Sequence, residues 1–355
     1  MQWHLLERCN LRCRHCYQES YTVPDPDFEF LNSVLNQYIE TVEHFCKCSG
    51  SRIPAHLTLT GGEPFLYSDF FKLIRKVADF KNQYGKQFRW SILTNGTLLD
   101  DQIAQNLRRL GAACVQISLD GMEQTHDSIR APGSFKQAVR GIQCLKKAGI
   151  HTMISFTVSR MNQHEFIDVA ELAYRLGVDH IWSDRLIPTS HEMMEQMLSP
   201  EETVTFFQTM KAARRRIDDL YFENNRSFFQ RLFSLFRKPH KTCLAMNRAL
   251  QFLESKSPVY RCSAGRTLVA VLPDGTVLPC RRLPIPAGNL HDQSLLEIYK
   301  NSELFQHLRT DKPDCGECKY LHSCAGGLRC LAYAVKGNPL AGDPGCLLLS
   351  HESVG

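Results

Sequence analysis

The feature that most restricts the fold is a regular alternation of short β-rich runs with amphipathic stretches through residues 1–190. Strand candidates are 1–7, 55–60, 89–94, 113–118, 151–158 and 178–183, and apolar residues recur at helical spacing near 27–46, 68–83, 100–110, 134–148 and 163–176. Gly111, Gly149 and Gly177 follow three of the helical stretches, where a C-cap calls for positive φ. Strands separated by helices of this length pair in parallel, because each crossover must return to the same end of the sheet. Six such units predict an α/β fold, a partial or complete βα barrel over 1–190.

Residues 191–250 change character and read as a mostly helical connecting segment, rich in Met, Phe and Arg. Within it, Arg214-Arg215-Arg216 reads as a solvated helix face. From residue 251 onward short strands, turns such as Pro273-Asp274-Gly275 and dense cysteine predict a second, small α+β domain stapled by metal. The chain carries 15 cysteines among 355 residues but no signal-peptide pattern and no long apolar run. A cytoplasmic location follows, where thiols stay reduced and serve as metal ligands more often than as disulfides. A net charge of +5, spread along the chain, argues against nucleic acid as a partner, and nothing suggests a membrane.

Cys9, Cys13 and Cys16 follow directly on the first strand candidate, at the mouth of the sheet where βα barrels carry their active sites. Structural zinc takes four ligands, and His15, wedged between two of these cysteines, is poorly placed to be the fourth. A cubane iron–sulfur cluster held by three thiolates keeps one iron free for a substrate. The C-x3-C-x2-C spacing resembles the radical S-adenosylmethionine (SAM) superfamily. Further motifs at later strand ends strengthen the resemblance. Gly61-Gly62-Glu63-Pro64 is similar to the family segment whose backbone and glutamate hold the SAM amino group. Thr94-Asn95-Gly96 ends the third strand, and Ser118-Leu119-Asp120-Gly121 the fourth. Ser118 and Arg130, twelve residues apart, match family residues at the ribose and carboxylate of SAM. The resemblance implies a [4Fe-4S] cluster with SAM, and a flavodoxin- or ferredoxin-type electron donor. It also implies reductive cleavage to a 5′-deoxyadenosyl radical that takes hydrogen from an unactivated carbon.

The later cysteines resemble the SPASM extension, which binds two auxiliary iron–sulfur clusters. The fold expected is thus a partial (β/α)6 radical SAM barrel followed by a small cysteine-rich α+β SPASM domain. By that resemblance Cys315, Cys318, Cys324 and Cys346 hold one auxiliary cluster, and Cys262, Cys280 and Cys330 the other. The usual C-x3-C would put a further cysteine at 328, where this chain has Leu328. Cys243 is then the candidate fourth ligand, the alternative being an open position. Cys114 and Cys144 read as core residues.

SPASM enzymes mostly act on peptides or proteins, so the resemblance implies a peptide maturase forming a cross-link or an oxidised side chain. The alternatives are tetrapyrrole side-chain modification in the haem pathway and, outside catalysis, an iron–sulfur electron carrier. The chain starts at its first strand, so a peptide substrate would call for a separate leader-recognition protein. The pair Arg281-Arg282 after Cys280 suits carboxylates, whether acidic side chains or porphyrin propionates.

Overall fold

The computed structural model describes residues 1–18, 20–224 and 241–350. Six parallel strands lie in chain order: β1 (Gln2–His4), β2 (Ala55–Thr60), β3 (Phe88–Thr94), β4 (Cys114–Ser118), β5 (Thr152–Val158) and β6 (His180–Arg185). Their crossovers are α1 (Phe28–Ser49), α2 (Phe70–Tyr84), α3 (Asp101–Arg109), α4 (Glu123–Ile129) with α5 (Ser134–Lys147), and α6 (Phe166–Arg175). Trp3, Leu57, Trp90, Val115, Ile154 and Ile181 point outward and are fully buried. They belong to one core with Leu31, Ile74, Leu107, Ile142 and Val169 of the helices. Apolar burial on this scale holds the helical layer to the sheet.

Local signals set the element ends. Asp27 caps α1 by accepting from Phe30 N at 2.7 Å. Gly111, Gly149 and Gly177 have φ of 77°, 70° and 69°, the left-handed conformation expected of them. Strand β1 is shorter than its apolar run suggests, because the chain turns away after Leu5 N donates to Thr60 O. Strand β6 begins two residues later than expected: the turn closing α6 uses Val178 N, which donates to Ala173 O.

The connecting segment departs from expectation. It contains α7 (His191–Glu195) and α8 (Pro200–Asn224), but also a strand, β7 (Cys243–Ala245), parallel to β6. Residues 225–240 of the predicted helical stretch lie outside the described residues. Nor is the arginine run simply solvated. Arg214 Nη2 donates to Leu244 O at 2.7 Å, and Arg216 Nε donates to Glu171 Oε1 at 2.6 Å, fixing α8 to β7 and α6.

The C-terminal strands do not form a sheet of their own. Strand β8 (Ala270–Val271) pairs in parallel with β1, and β9 (Thr276–Leu278) and β10 (Gly288–Asn289) continue antiparallel. The result is one open ten-stranded sheet, ordered β10-β9-β8-β1-β2-β3-β4-β5-β6-β7. It curls around a cavity at the C-terminal ends of the parallel strands, as an unclosed barrel.

Candidate functional site

The cysteine loop leaves β1 and folds over the strand ends, held by the Gly61–Pro64 segment. Gly62 N donates to Leu6 O and Glu63 N to Arg8 O, both at 2.9 Å. A Cβ on Gly62 would sit 2.2 Å from Arg8 O, and one on Gly61 would sit 2.6 Å from Leu6 O. The two glycines are therefore required for the strand end to dock against the cysteine loop. The backbone of both faces the cavity.

Cys9, Cys13 and Cys16 line that same cavity of about 290 Å³, together with Asn95, Ser118 and Arg130. Donors aim at all three sulfurs: Leu11 N at Cys9 (3.5 Å), Gln18 N at Cys16 (3.4 Å) and Arg130 Nη1 at Cys13 (3.6 Å). Burial pushes the Cys9 thiol up to about 11, against the pull of the Leu11 N–H. Such donors favour the thiolate, the form that ligates metal. His15 is not a fourth ligand, since its Nε2 faces Asp120 Oδ2 at 3.4 Å. Among the described residues no three or more His, Cys, Asp or Glu side chains converge as a single metal ion requires. Three thiols spaced around a cavity with amide donors suit a multinuclear iron–sulfur cluster better than zinc.

Asp120 organises the wall beside Cys13. It is fully buried, accepts from Arg130 Nε (2.7 Å) through Oδ2 and from Thr157 N (2.8 Å) through Oδ1. Burial alone would raise its pKa, but Arg130 and His15 hold it below the usual carboxylate range. Asp120 thus aims Arg130 rather than facing the cavity itself. Asn95 donates through Nδ2 to Asn10 Oδ1 at 2.9 Å, tying the end of β3 to the cysteine loop. Glu63 and Pro64 are absent from the cavity lining. The Glu63 carboxylate, 0% exposed, accepts from Thr94 Oγ1 at 2.8 Å and Asn95 N at 2.9 Å. It acts as a clamp between two strand ends, contrary to the expectation that its side chain reaches SAM. Burial raises its pKa to about 7, with those hydrogen bonds opposing.

The far wall holds residues that sequence reasoning missed. Inward positions alternate along β4 to β6, and register sets Ser118 beside Ser155 beside Trp182, and Thr157 beside Asp184. Asp184 accepts from Arg248 Nη2 and Arg282 Nη2, both at 2.9 Å. These guanidiniums outweigh burial and hold its carboxyl far below the usual range. Asp184 and Arg282 line the cavity with Gln116, Tyr17, Tyr21 and Trp182. Arg185 Nη1 and Nη2 donate to the two oxygens of Asp343 at 2.7 Å each, a buried bidentate pair from β6 to the C-terminal segment. The alternation of inward residues was readable; the partners, 64 and 98 residues away from Asp184, were not.

The C-terminal thiols fall into two groups. Cys315, Cys318, Cys324 and Cys346 surround one small space lined by Leu250, Phe252 and Leu321. Burial, then the neighbouring thiols Cys318, Cys324 and Cys346, push the Cys315 thiol up to about 11. Cys262, Cys280 and Cys330 form the second group. Burial raises the Cys330 thiol, with Arg282 opposing and Cys280 and Cys262 adding to the rise. Leu328 is buried among the same residues, and its N–H donates to Asp343 Oδ2 at 2.8 Å. Cys243 does not join them. It is exposed and pairs with His180, the first residue of β6, whereas Asp184 and the Arg282 side chain stand at the other end of that strand. Four residues of strand separate the two ends by about 13 Å. The fourth-ligand expectation for Cys243 is therefore corrected.

Residues 3–173 match the radical SAM superfamily and residues 262–324 match an iron–sulfur cluster-binding domain, SPASM. An AdoMet-dependent heme synthase from Methanosarcina barkeri is 31% identical, over 97% of this chain and 95% of the relative. A mycofactocin maturase from Mycobacterium ulcerans is 30% identical, over 98% of this chain and 87% of the relative. The solved structure of native anSMEcpe with bound AdoMet shares the fold, with a TM-score of 0.68 and 18% identity over 98% of this chain and 94% of that one. The chain belongs to the radical SAM superfamily and carries a C-terminal SPASM domain.

Proposed function

We propose that this radical SAM enzyme acts on a carboxylate-bearing side chain of a tetrapyrrole. The observation that carries the reading is the charge at Asp184. One carboxylate faces two guanidiniums, Arg248 and Arg282, which leaves an excess positive charge on the cavity wall. The Arg248 guanidinium also lies 5.0 Å from the Trp182 ring, so an aromatic surface stands beside the charge. The cavity of about 290 Å³ is at the small end of ligand pockets and is the one assigned below to the cluster and SAM, so the body of a large substrate stays at the mouth while one arm enters. A propionate arm on a flat macrocycle meets these requirements. The end-to-end heme synthase relative supports the same substrate class.

In this reading Cys9, Cys13 and Cys16 hold a [4Fe-4S] cluster with SAM. When bound, this pair supplies a 5′-deoxyadenosyl radical for hydrogen abstraction. The carbonyls of Gly61 and Gly62 take no backbone hydrogen bond among the described residues, which leaves them for the SAM ammonium. Arg130, aimed by Asp120, offers its guanidinium to the SAM carboxylate, and Ser118 offers a hydroxyl to the ribose. Asn95 fixes the cysteine loop. The two C-terminal thiol groups hold auxiliary iron–sulfur clusters, and a flavodoxin- or ferredoxin-type protein delivers electrons. No helix among the described residues is long and apolar enough to cross a membrane.

The test is anaerobic incubation of the reconstituted protein with SAM, a reductant and iron coproporphyrin III, a tetrapyrrole bearing propionates. A SAM-dependent mass change of the macrocycle, coupled to 5′-deoxyadenosine, is expected, and Arg282→Gln raises the KM for the tetrapyrrole. An unchanged macrocycle with persistent SAM cleavage removes the substrate assignment and leaves the radical chemistry standing. The second reading, modification of a peptide, is favoured by the mycofactocin maturase match. It predicts instead that a precursor peptide, and not the tetrapyrrole, stimulates 5′-deoxyadenosine release.

A further inference from the structure

Arg329 is the first residue of the helix Arg329–Lys336, directly before Cys330. It is 2% exposed, and its Nε and Nη1 are buried without a hydrogen-bond partner. Five other arginines around the two sites have partners. Arg130 faces Asp120, Arg185 faces Asp343, and Arg248 and Arg282 share Asp184. Arg281 lies over the Tyr17 ring. Around Arg329 the charged groups are Cys262, Arg261, Arg266 and Asp311. Asp311 is already engaged by His307 at 2.6 Å. Two further arginines beside a buried guanidinium add repulsion, so the site as it stands has too much positive charge. Folded proteins rarely keep a buried charge without a compensating one. Besides Asp311, the acidic group acting on Arg329 is Cys262, which belongs with Cys280 and Cys330.

We propose that Arg329 is the built-in countercharge of the auxiliary cluster held by Cys262, Cys280 and Cys330, retaining that cluster and raising its reduction potential. The inference rests on reading those three cysteines as cluster ligands. Thiolate-ligated iron–sulfur clusters are anionic, and become more so on reduction; a nearby cation or N–H donor therefore favours the reduced state. Arg282 also acts on the same thiols, but its charge is shared with Asp184. Arg329 is thus a positioning residue acting on the cluster, not a group that touches substrate.

The role predicts effects of opposite sign in the empty and loaded protein. Without clusters, Arg329→Met removes an uncompensated buried charge, so the apo chain melts at a higher temperature than the unsubstituted one. With clusters reconstituted, the same variant releases iron to a chelator about tenfold faster, the scale of a lost partner to a metal ligand. One auxiliary potential moves to a more negative value in an EPR-monitored titration, run in a Cys13→Ala background so that the auxiliary signals are read alone. Arg329→Lys keeps the charge and restores most of the retention and potential. If Arg329→Met lowers the apo melting temperature while retention and potential stay unchanged, Arg329 is a packing residue and the proposal is wrong. Iron content separates the underlying reading: a Cys262→Ala chain that binds as much iron as the unsubstituted one overturns the ligand assignment, whatever Arg329 does.

Discussion

The thiols at the two ends of the chain show opposite designs from one kind of ligand. At the N-terminal end, three cysteines line a cavity whose other walls mix polar groups, Asn95, Ser118, Arg130 and Asp184, with apolar ones such as Leu186 and Ile187. At the C-terminal end, four cysteines close around a space walled by Leu250, Phe252, Leu253 and Leu321. A centre surrounded by four thiols in an apolar setting is shielded and coordinatively complete. One with three thiols beside a roomy cavity that carries polar groups keeps room for a ligand. The same division separates structural from catalytic metal sites elsewhere. The lesson is that number and surroundings of the ligands, more than their identity, assign the role. The Cys262, Cys280 and Cys330 group falls between these designs, with three thiols, an apolar Leu328 and flanking arginines.

The largest effect breaks the comparison directly. Cys13→Ala reduces 5′-deoxyadenosine formation to background, whereas Cys318→Ala loses substrate turnover but retains uncoupled SAM cleavage, both followed by anaerobic chromatography. Equal loss of cleavage in two folded variants would sink the division of labour. The next test concerns the link between the regions. Asp343→Ala leaves Arg185 buried and unpaired and strips the acceptor from Leu328 N and Gly345 N. It costs about 3–5 kcal/mol in denaturant unfolding. An Arg185→Met, Asp343→Leu pair recovers much of that loss; a double variant no better than the single one contradicts the ion-pair account.

Glu63 supplies the pH dependence. Its folded pKa of about 7 lies above the ordinary 4.5, so the folded chain holds a proton that the unfolded chain has released. Its contribution is full below about 4.5 and declines as pH rises to about 7, by up to about 3 kcal/mol. Glu63→Gln keeps the acceptor for Thr94 and Asn95 without the charge. The apo variant therefore gains on the unsubstituted chain between pH 5 and pH 8, and an unchanged difference across that range refutes the assignment. The smallest effect is at Asp120. Asp120→Asn loosens the aim of Arg130, so SAM binds about tenfold more weakly by isothermal calorimetry, while the iron content of the reconstituted protein holds steady.

Much of this was legible because the signals are local. The six strands, the helix-ending glycines, the cysteine loop and the Ser118 to Arg130 spacing each depend on residues near one another in the chain. What escaped depends on distant pairing. The position of Cys243 follows from its register against His180, which spacing alone does not reveal. Asp184 reads as an unremarkable strand-end carboxylate until Arg248 and Arg282 are brought to it. Glu63 was misread for a different reason. The motif fixes its backbone, but the side chain turns toward Thr94 and Asn95, donor groups that only the β2 to β3 register provides. The C-terminal strands were legible as strands, yet their attachment to β1 was not.

That attachment governs how the protein is made. Strand β1, which carries the cysteine loop, lies between β2 and β8, so residues 2 and 3 wait for residues 270 and 271 to complete their pairing. During synthesis the β2 side forms early, while the other side of β1 remains an open edge until most of the chain has left the ribosome. An open edge invites pairing with other chains. The N-terminal thiols are therefore in place on an unfinished sheet well before the C-terminal ones exist. A chain truncated before residue 270 would expose that edge permanently, so complete synthesis is a condition of solubility as well as of activity.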